Sequence, residues 1–210
     1  MRRRAGALLA MLAIGGCSSG QAGPAGPPPA DWRVAYTGYG QVRSGSQGGD
    51  PGFVLSPAQP ESPAATHAAL VLSARSWRDF TLVVRLRTTS QLRKPSPNNW
   101  EVGWLLWHYT DEHHFYYLIL KPDGFELGKE DPAYPGEQRF LVTKSQPSFP
   151  VGRSYVIRVT QRGDVMSVSV GGRTLVRYAD PNDPYRSGRI GLYTEDAIAT
   201  YQIVSLTQAS

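Results

Sequence analysis

The chain has 210 residues, 40% of them hydrophobic and 10% aromatic, with 22 Lys and Arg against 17 Asp and Glu for a formal net charge of +5. A single cysteine rules out an internal disulfide. Beyond the N-terminus the cations are scattered, with Arg85/Arg87 and Arg93/Lys94 as isolated pairs. No phosphate-neutralising face is expected from that pattern, and nucleic acid is not an expected partner.

Arg2-Arg3-Arg4 is followed by an apolar run over residues 5–14. The run is too short for the ~20 residues of a spanning helix and reads as the h-region of an export signal. Ile14-Gly15-Gly16-Cys17 resembles the lipobox of bacterial lipoproteins. The resemblance implies that residues 1–16 are a signal peptide and that Cys17 is diacylated. It further implies an exported protein, anchored by that lipid to a bacterial membrane and facing the periplasm or the exterior. The competing reading is an ordinary secretory signal cleaved elsewhere. Residues 1–16 carry three arginines and no acid, so their removal takes the net charge from +5 to +2. Residues 17–30 hold the cysteine and a Gly/Pro/Ala spacer that has nothing to bury. Residues 31–210 form a single domain, large enough for its own core.

Within that domain, residues 32–36 open as a strand and the polar, Gly-rich residues 38–52 follow as a connection. Short strands are expected at 53–55 and 69–73, separated by a proline-rich loop. Residues 79–88 alternate, with Phe80, Leu82, Val84 and Leu86 on one face and Thr81, Val83, Arg85 and Arg87 on the other. A polar loop over 89–98 leads to the most aromatic stretch, residues 99–129. This divides into a strand at 100–109, a turn at 110–114, a strand at 115–121, a Pro-Asp-Gly turn, and a strand at 125–129. A long loop over 130–150 contains one short strand at 139–143. Residues 154–161, 164–170 and 174–178 read as a meander with Gly-containing hairpin turns, and 188–193 with 199–206 as a final pair. No segment of ten residues has helical period, so the expected class is all-β, a sandwich or barrel.

The order of these features resembles the concanavalin A/laminin-G jelly-roll superfamily. It is closer still to the bacterial keto-disaccharide hydrolase-like and "calcium-binding" lipoprotein groups. The residues carrying the likeness are Trp77-Arg78-Asp79-Phe80, Gly103-Trp104-Leu105-Leu106-Trp107 and Asp111 to Tyr117. They continue with Gly163-Asp164, Val168 to Gly172, and Ser187 to Tyr193. The resemblance implies an antiparallel two-sheet jelly-roll sandwich but no particular activity, because this fold hosts lectins, glucanases and interaction modules alike. Where many members carry Phe-Asp-Asn near the C-terminus, this chain has Tyr201-Gln202-Ile203.

Residues 100–109 are apolar or aromatic on both faces, whereas an antiparallel strand normally shows water one of its faces. Strict alternation puts Trp104 with Val102, Leu106 and His108 as core, and Trp107 with Glu101, Leu105 and Tyr109 on the open, concave face. Trp107, Tyr109, Tyr117, Arg85, Glu101, Lys121 and Glu126 are therefore the candidate carbohydrate-binding residues. Flat rings beside hydrogen-bonding groups suit the two kinds of surface a sugar presents. The alternative is that loops such as 130–150 cover this face and make it a second core.

A hydrolytic reading would use Glu101 and Glu126 as the two carboxylates, with His108 or His114. The Glu-x-Asp-x-x-Glu string of laminarinase-type relatives is absent, and each glutamate has ion-pairing or solvated alternatives. His108, His113 and His114 make a poor metal site, because adjacent strand residues point apart. Calcium is the one cofactor with a candidate site, in the oxygens of Asp180, Asn182 and Asp183, with Asp50 as a further donor; a plain turn competes with it. The balance favours a monomeric, lipid-anchored envelope protein that binds carbohydrate or cell-wall glycan without catalysis. A glycoside hydrolase and a protein-interaction or structural lipoprotein are the alternatives. Metabolic labelling with a palmitate analogue should mark the wild type and not Cys17→Ala; equal labelling would end the lipoprotein reading.

Overall fold

The computed structural model describes residues 31–47 and 50–209, and builds them from fourteen strands. Residues 1–16, Cys17 and the spacer lie outside the described residues. The first five strands are β1 (Trp32–Tyr36), β2 (Gln41–Gln47), β3 (Asp50–Ser56), β4 (Ala68–Ser73) and β5 (Phe80–Gln91). The aromatic stretch supplies β6 (Gly103–Asp111), β7 (His114–Lys121) and β8 (Gly124–Glu130), followed by β9 (Gln138–Lys144). The chain ends with β10 (Ser154–Arg162), β11 (Val165–Val170), β12 (Arg173–Ala179), β13 (Arg189–Glu195) and β14 (Ala197–Gln208).

Two seven-stranded sheets result, ordered β1-β4-β13-β6-β7-β8-β9 and β12-β11-β10-β5-β14-β3-β2. Every strand pairing is antiparallel. This is the expected two-sheet sandwich. The space between the sheets is filled by the apolar face of β5 (Phe80, Leu82, Val84, Leu86) against Leu105, Trp107, Tyr116, Leu118 and Leu120. Each such burial contributes roughly 1.5–3 kcal/mol before chain entropy is set against it. Gly103 faces this space so closely that a Cβ would lie 2.6 Å from Leu86 Cδ1 and 2.8 Å from the Tyr201 hydroxyl. The sheets can approach there only because the side chain is absent.

Three expectations need correction. The polar residues 41–47 form β2, an edge strand paired with β3, where apolar alternation is not required because little of it is buried. Arg85, expected on one binding face with Trp107, is on β5, which lies in the opposite sheet from β6. The faces of β6 are also reversed. Trp107 is 1% exposed in the inter-sheet core and donates Nε1–H to Gln161 Oε1 at 3.0 Å, while Trp104 packs on the other side of the sheet.

A bulge completes the reversal. Leu106 pairs with Gly191 and Tyr109 with Arg189, so three steps on β6 match two on β13. His108 takes the extra place at φ 52°, in the left-handed region, with its ring against Phe80 and Tyr116 on the core side. Tyr109 is thereby delivered to the face that holds Trp104 and Leu106. Trp107→Ala should lower stability by about 3–5 kcal/mol in denaturant melts, the range of a buried tryptophan. A loss within about 0.5 kcal/mol, the size expected of a surface position, would remove Trp107 from the core.

Candidate functional site

The outer face of the first sheet carries the candidate site. Cross-strand partners share a face, so the register can be followed across all seven strands. Tyr36 pairs with Leu70, Leu70 with Tyr193, Tyr193 with Trp104, Trp104 with Ile119, Ile119 with Glu126 and Glu126 with Thr143. The next row includes Leu72, Gly191, Leu106, Tyr117, Gly128 and Phe140. Trp104 touches Tyr193 with centroids 5.2 Å apart and Tyr117 at 5.3 Å, and Phe115 continues the chain of rings to Tyr109.

These inner rings are buried and form an apolar cluster separate from the inter-sheet core. Exposed rings stand around them: Tyr36 is 37% exposed, Trp100 45% and Phe140 52%. Polar groups are set into the aromatic surface in fixed pairs. Tyr117 donates its hydroxyl to Glu126 Oε1 at 2.9 Å, and Lys121 Nζ lies 3.4 Å from Glu126 Oε2. Tyr193 donates to Glu195 Oε2 at 3.0 Å. The Tyr117 ring lies over Gly128, where a Cβ would come within 2.0 Å of Tyr117 Cζ.

Of the seven expected binding residues, Tyr109, Tyr117, Lys121 and Glu126 share this face. The other three do not. Trp107 is core; Arg85 is exposed on the far side of the second sheet; Glu101 is buried beside Arg93. The Glu101 carboxylate also accepts from Asn98 Nδ2 at 2.7 Å and from the Asn98 amide at 3.0 Å. Arg93 pairs in turn with Asp196 and donates to the carbonyls of Pro63 and Ala65 at 2.9 Å each. This buried ion cluster pins the β3–β4 loop to the start of β6, and Glu101 is not free to act as an acid or base with Glu126.

The histidines separate too. Both ring nitrogens of His108 face carbonyls, Tyr185 O at 2.7 Å and Arg78 O at 2.8 Å. Burial lowers its pKa, while those two carbonyls pull the other way. His113 pairs with Glu137 at 2.8 Å and His114 with Asp111 at 2.7 Å, both near the surface.

The oxygens expected to hold calcium surround an ammonium instead. Lys129 Nζ sits 3.2 Å from Asp180 Oδ2, 3.0 Å from Asn182 O and 2.7 Å from Asp183 O. Tyr116 donates to the same Asp180 oxygen at 2.7 Å. A buried lysine is thus the cation for which the turn is shaped. Asp50 lies elsewhere, in β3, accepting from Gln202 Nε2 at 3.4 Å. Among the described residues no group of three His, Cys, Asp or Glu is arranged to hold a metal.

Residues absent from the expected set share this face. Trp104, Tyr193, Glu130 and Glu195 belong to this face, and the alternation Gly191, Tyr193, Glu195 could have disclosed two of them. Burial pushes the Glu195 carboxyl up from 4.5 to about 7, with Asp196 and Glu101 adding to it against the Tyr193 hydroxyl and Arg93. Glu130 is also raised to about 7, by burial first and Glu137 second. Between about pH 4.5 and 7 the folded chain therefore holds protons that the unfolded chain has released, so stability falls as pH rises through that window. Glu195→Gln should make the melting temperature less sensitive to pH between 5 and 8. An unchanged slope would show that Glu195 ionises normally.

No family model matches the sequence, and no curated protein does. Solved structures do. The carbohydrate binding module CBM66 from Bacillus subtilis aligns at a TM-score of 0.60 and 16% identity, over 85% of this chain and 96% of the module. A galectin-like protein of unknown function from Bacillus subtilis aligns at 0.55 and 13%, over 85% and 89%. A structure described with endo-acting O-glycanases of human gut bacteria aligns at 0.55 and 13%, over 90% and 96%. At these identities the likeness is one of fold: the chain is an all-β sandwich of the jelly-roll, galectin-like kind.

Proposed function

We propose that this chain is a lipid-anchored protein of the bacterial cell envelope that binds carbohydrate on the outer face of its first sheet, without catalysis. The observation that carries the reading is the row Tyr36, Tyr193, Trp104 and Glu126, which sets rings and a carboxylate in register on one face. Rings accept the CH surface of a sugar and fixed carboxylates accept its hydroxyls. The buried inner rings hold the surface rigid, and the exposed rings of Tyr36 and Phe140 make the contact. The fold's occurrence in a carbohydrate binding module supports the same reading.

One observation favours a second reading, glycoside hydrolysis. Glu130 and Glu195 hold their protons to about pH 7 on the face that also bears Glu126, and a neutral carboxylic acid is what protonation of a leaving group requires. Glycan-array binding of the full chain distinguishes the two. The double variant Tyr36→Ala/Phe140→Ala should weaken binding at least about tenfold, the size of a lost ring contact, with an unchanged melting temperature. Retained affinity would move the site off this face. Release of reducing sugar by the wild type, abolished in Glu130→Gln/Glu195→Gln with binding kept, would replace the binding reading with the hydrolytic one.

A further inference from the structure

The opposite outer face, that of the second sheet, has a different chemistry. Its seven strands contain seven arginines, no lysine and one acid, Asp50. Six of the arginines point outward: Arg43, Arg85, Arg87, Arg158, Arg162 and Arg177, all exposed. The register gathers residues that look isolated in the sequence. Arg43 reaches Arg87 through Val54 and Thr200, and Arg85 is opposite Val156, one alternation from Arg158. The expectation that no basic face exists is therefore corrected by the topology.

Among the described residues none of the six pairs with a carboxylate; Arg43 donates to the Gln41 side chain. The nearby acids are already engaged or lie at the margin. Asp50 accepts from Gln202, Asp79 accepts from the Gly163 amide at 2.7 Å, and Asp164 is in the β10–β11 turn. Between the arginines stand hydroxyls, Thr81, Thr160, Ser167 and Ser169. At one end Thr160, Arg162, Val165, Ser167 and Arg177 line a depression of about 250 Å³. Two guanidiniums and two hydroxyls are a donor set for a phosphate group, which accepts forked hydrogen bonds from arginine.

We propose that this face docks the domain on the phosphate plane of an anionic lipid bilayer, with one headgroup phosphate seated between Arg162 and Arg177. Three observations select a bilayer. The donors are spread over a sheet seven strands wide, which matches a plane of headgroups and not a single strand of polyanion. The outward positions hold no aromatic ring on which a nucleic-acid base could stack. The chain also carries its own apolar run at residues 5–14, followed by Cys17, so a membrane is the surface it would be held beside. Each arginine near an anionic leaflet strengthens attachment several-fold.

The test is flotation of the full chain with vesicles of pure phosphatidylcholine and with vesicles containing about 30 mol% phosphatidylglycerol, roughly the charge density of an anionic leaflet. Arg2, Arg3 and Arg4 beside the apolar N-terminal run also favour the anionic vesicles, so the face is read from the difference between wild type and a variant that keeps them. Wild type should prefer the anionic vesicles at least about tenfold at low salt and lose that preference as salt rises. Arg85→Gln/Arg158→Gln/Arg162→Gln/Arg177→Gln should cut the preference at least about tenfold, with the melting temperature and glycan binding unchanged. Equal preference in wild type and variant overturns the proposal. So does arginine-dependent capture by heparin that exceeds capture by the anionic vesicles, which would make the partner a soluble polyanion. A rise in melting temperature with inorganic phosphate, without any vesicle preference, would reduce the face to a small-anion site and also overturns it.

Discussion

The register of β6 is the constraint on which the molecule depends. It is the central strand of its sheet, and both of its faces are filled with large side chains. A period of two cannot by itself put Leu105, Trp107 and His108 inward while sending Leu106 and Tyr109 outward. One additional residue does so, and His108 accepts the left-handed backbone that this requires. Such a conformation costs on the order of 1 kcal/mol or more. It is offset here by the hydrogen bonding of the imidazole between the Tyr185 and Arg78 carbonyls, and by the burial of Trp107 on one side and the Tyr109–Phe115 stack on the other. Gly188 is part of the same arrangement, since a Cβ there would meet the His108 backbone at 2.2 Å.

The buried charges follow the same logic of enforced geometry. Arg93 is enclosed by Glu101, Asp196 and loop carbonyls, and Lys129 by Asp180 and two more carbonyls. Neither cluster is evidence of large stability, because desolvating the ions consumes most of their attraction. What they provide is position. Arg93 ties the β3–β4 loop to β6, and Lys129 ties the loop before β13 to β8. Burial holds the Glu195 carboxyl protonated to higher pH, against the pull of the Tyr193 hydroxyl, its one hydrogen-bond donor among the described residues.

Most of the architecture was legible in the sequence. Alternation identified β5, β7 and the β10–β12 meander, and paired glycines marked the hairpin at Gly171-Gly172. Strand β2 was not legible, because a polar edge strand is held by backbone hydrogen bonds that leave no pattern in side chains. The site was legible only in part. Tyr109, Tyr117, Lys121 and Glu126 fall on one face because they lie on β6 to β8, which are neighbours in space as in sequence. Arg85 was misplaced because chain order was read as spatial order, and the link between β5 and β6 crosses from one sheet to the other; Glu101 was misplaced because alternation was extended to a residue that precedes β6. The arginine face escaped notice for a related reason: guanidiniums on β2, β5, β10 and β12 become one surface only when the strand order is known.

The two outer faces point in opposite directions, and that opposition joins the two proposals. On the proposed anchoring at Cys17, fourteen residues of chain would reach at most about 50 Å, enough to hold the domain near a membrane but not to choose which side faces it. Orientation must then come from the surface itself. The outer strands of the second sheet offer arginine and hydroxyl with almost no acid, while the outer face of the first sheet carries Glu126, Glu130 and Glu195. An anionic plane attracts the one, while the other, with Glu130 and Glu195 holding their protons to about pH 7 and Glu126 beside Lys121, exerts no such pull. With the arginine face against lipid phosphates, the aromatic face is turned away from the membrane, where an envelope glycan can reach it. The charge asymmetry of the sandwich would thus present the carbohydrate face outward without any further contact between domain and membrane.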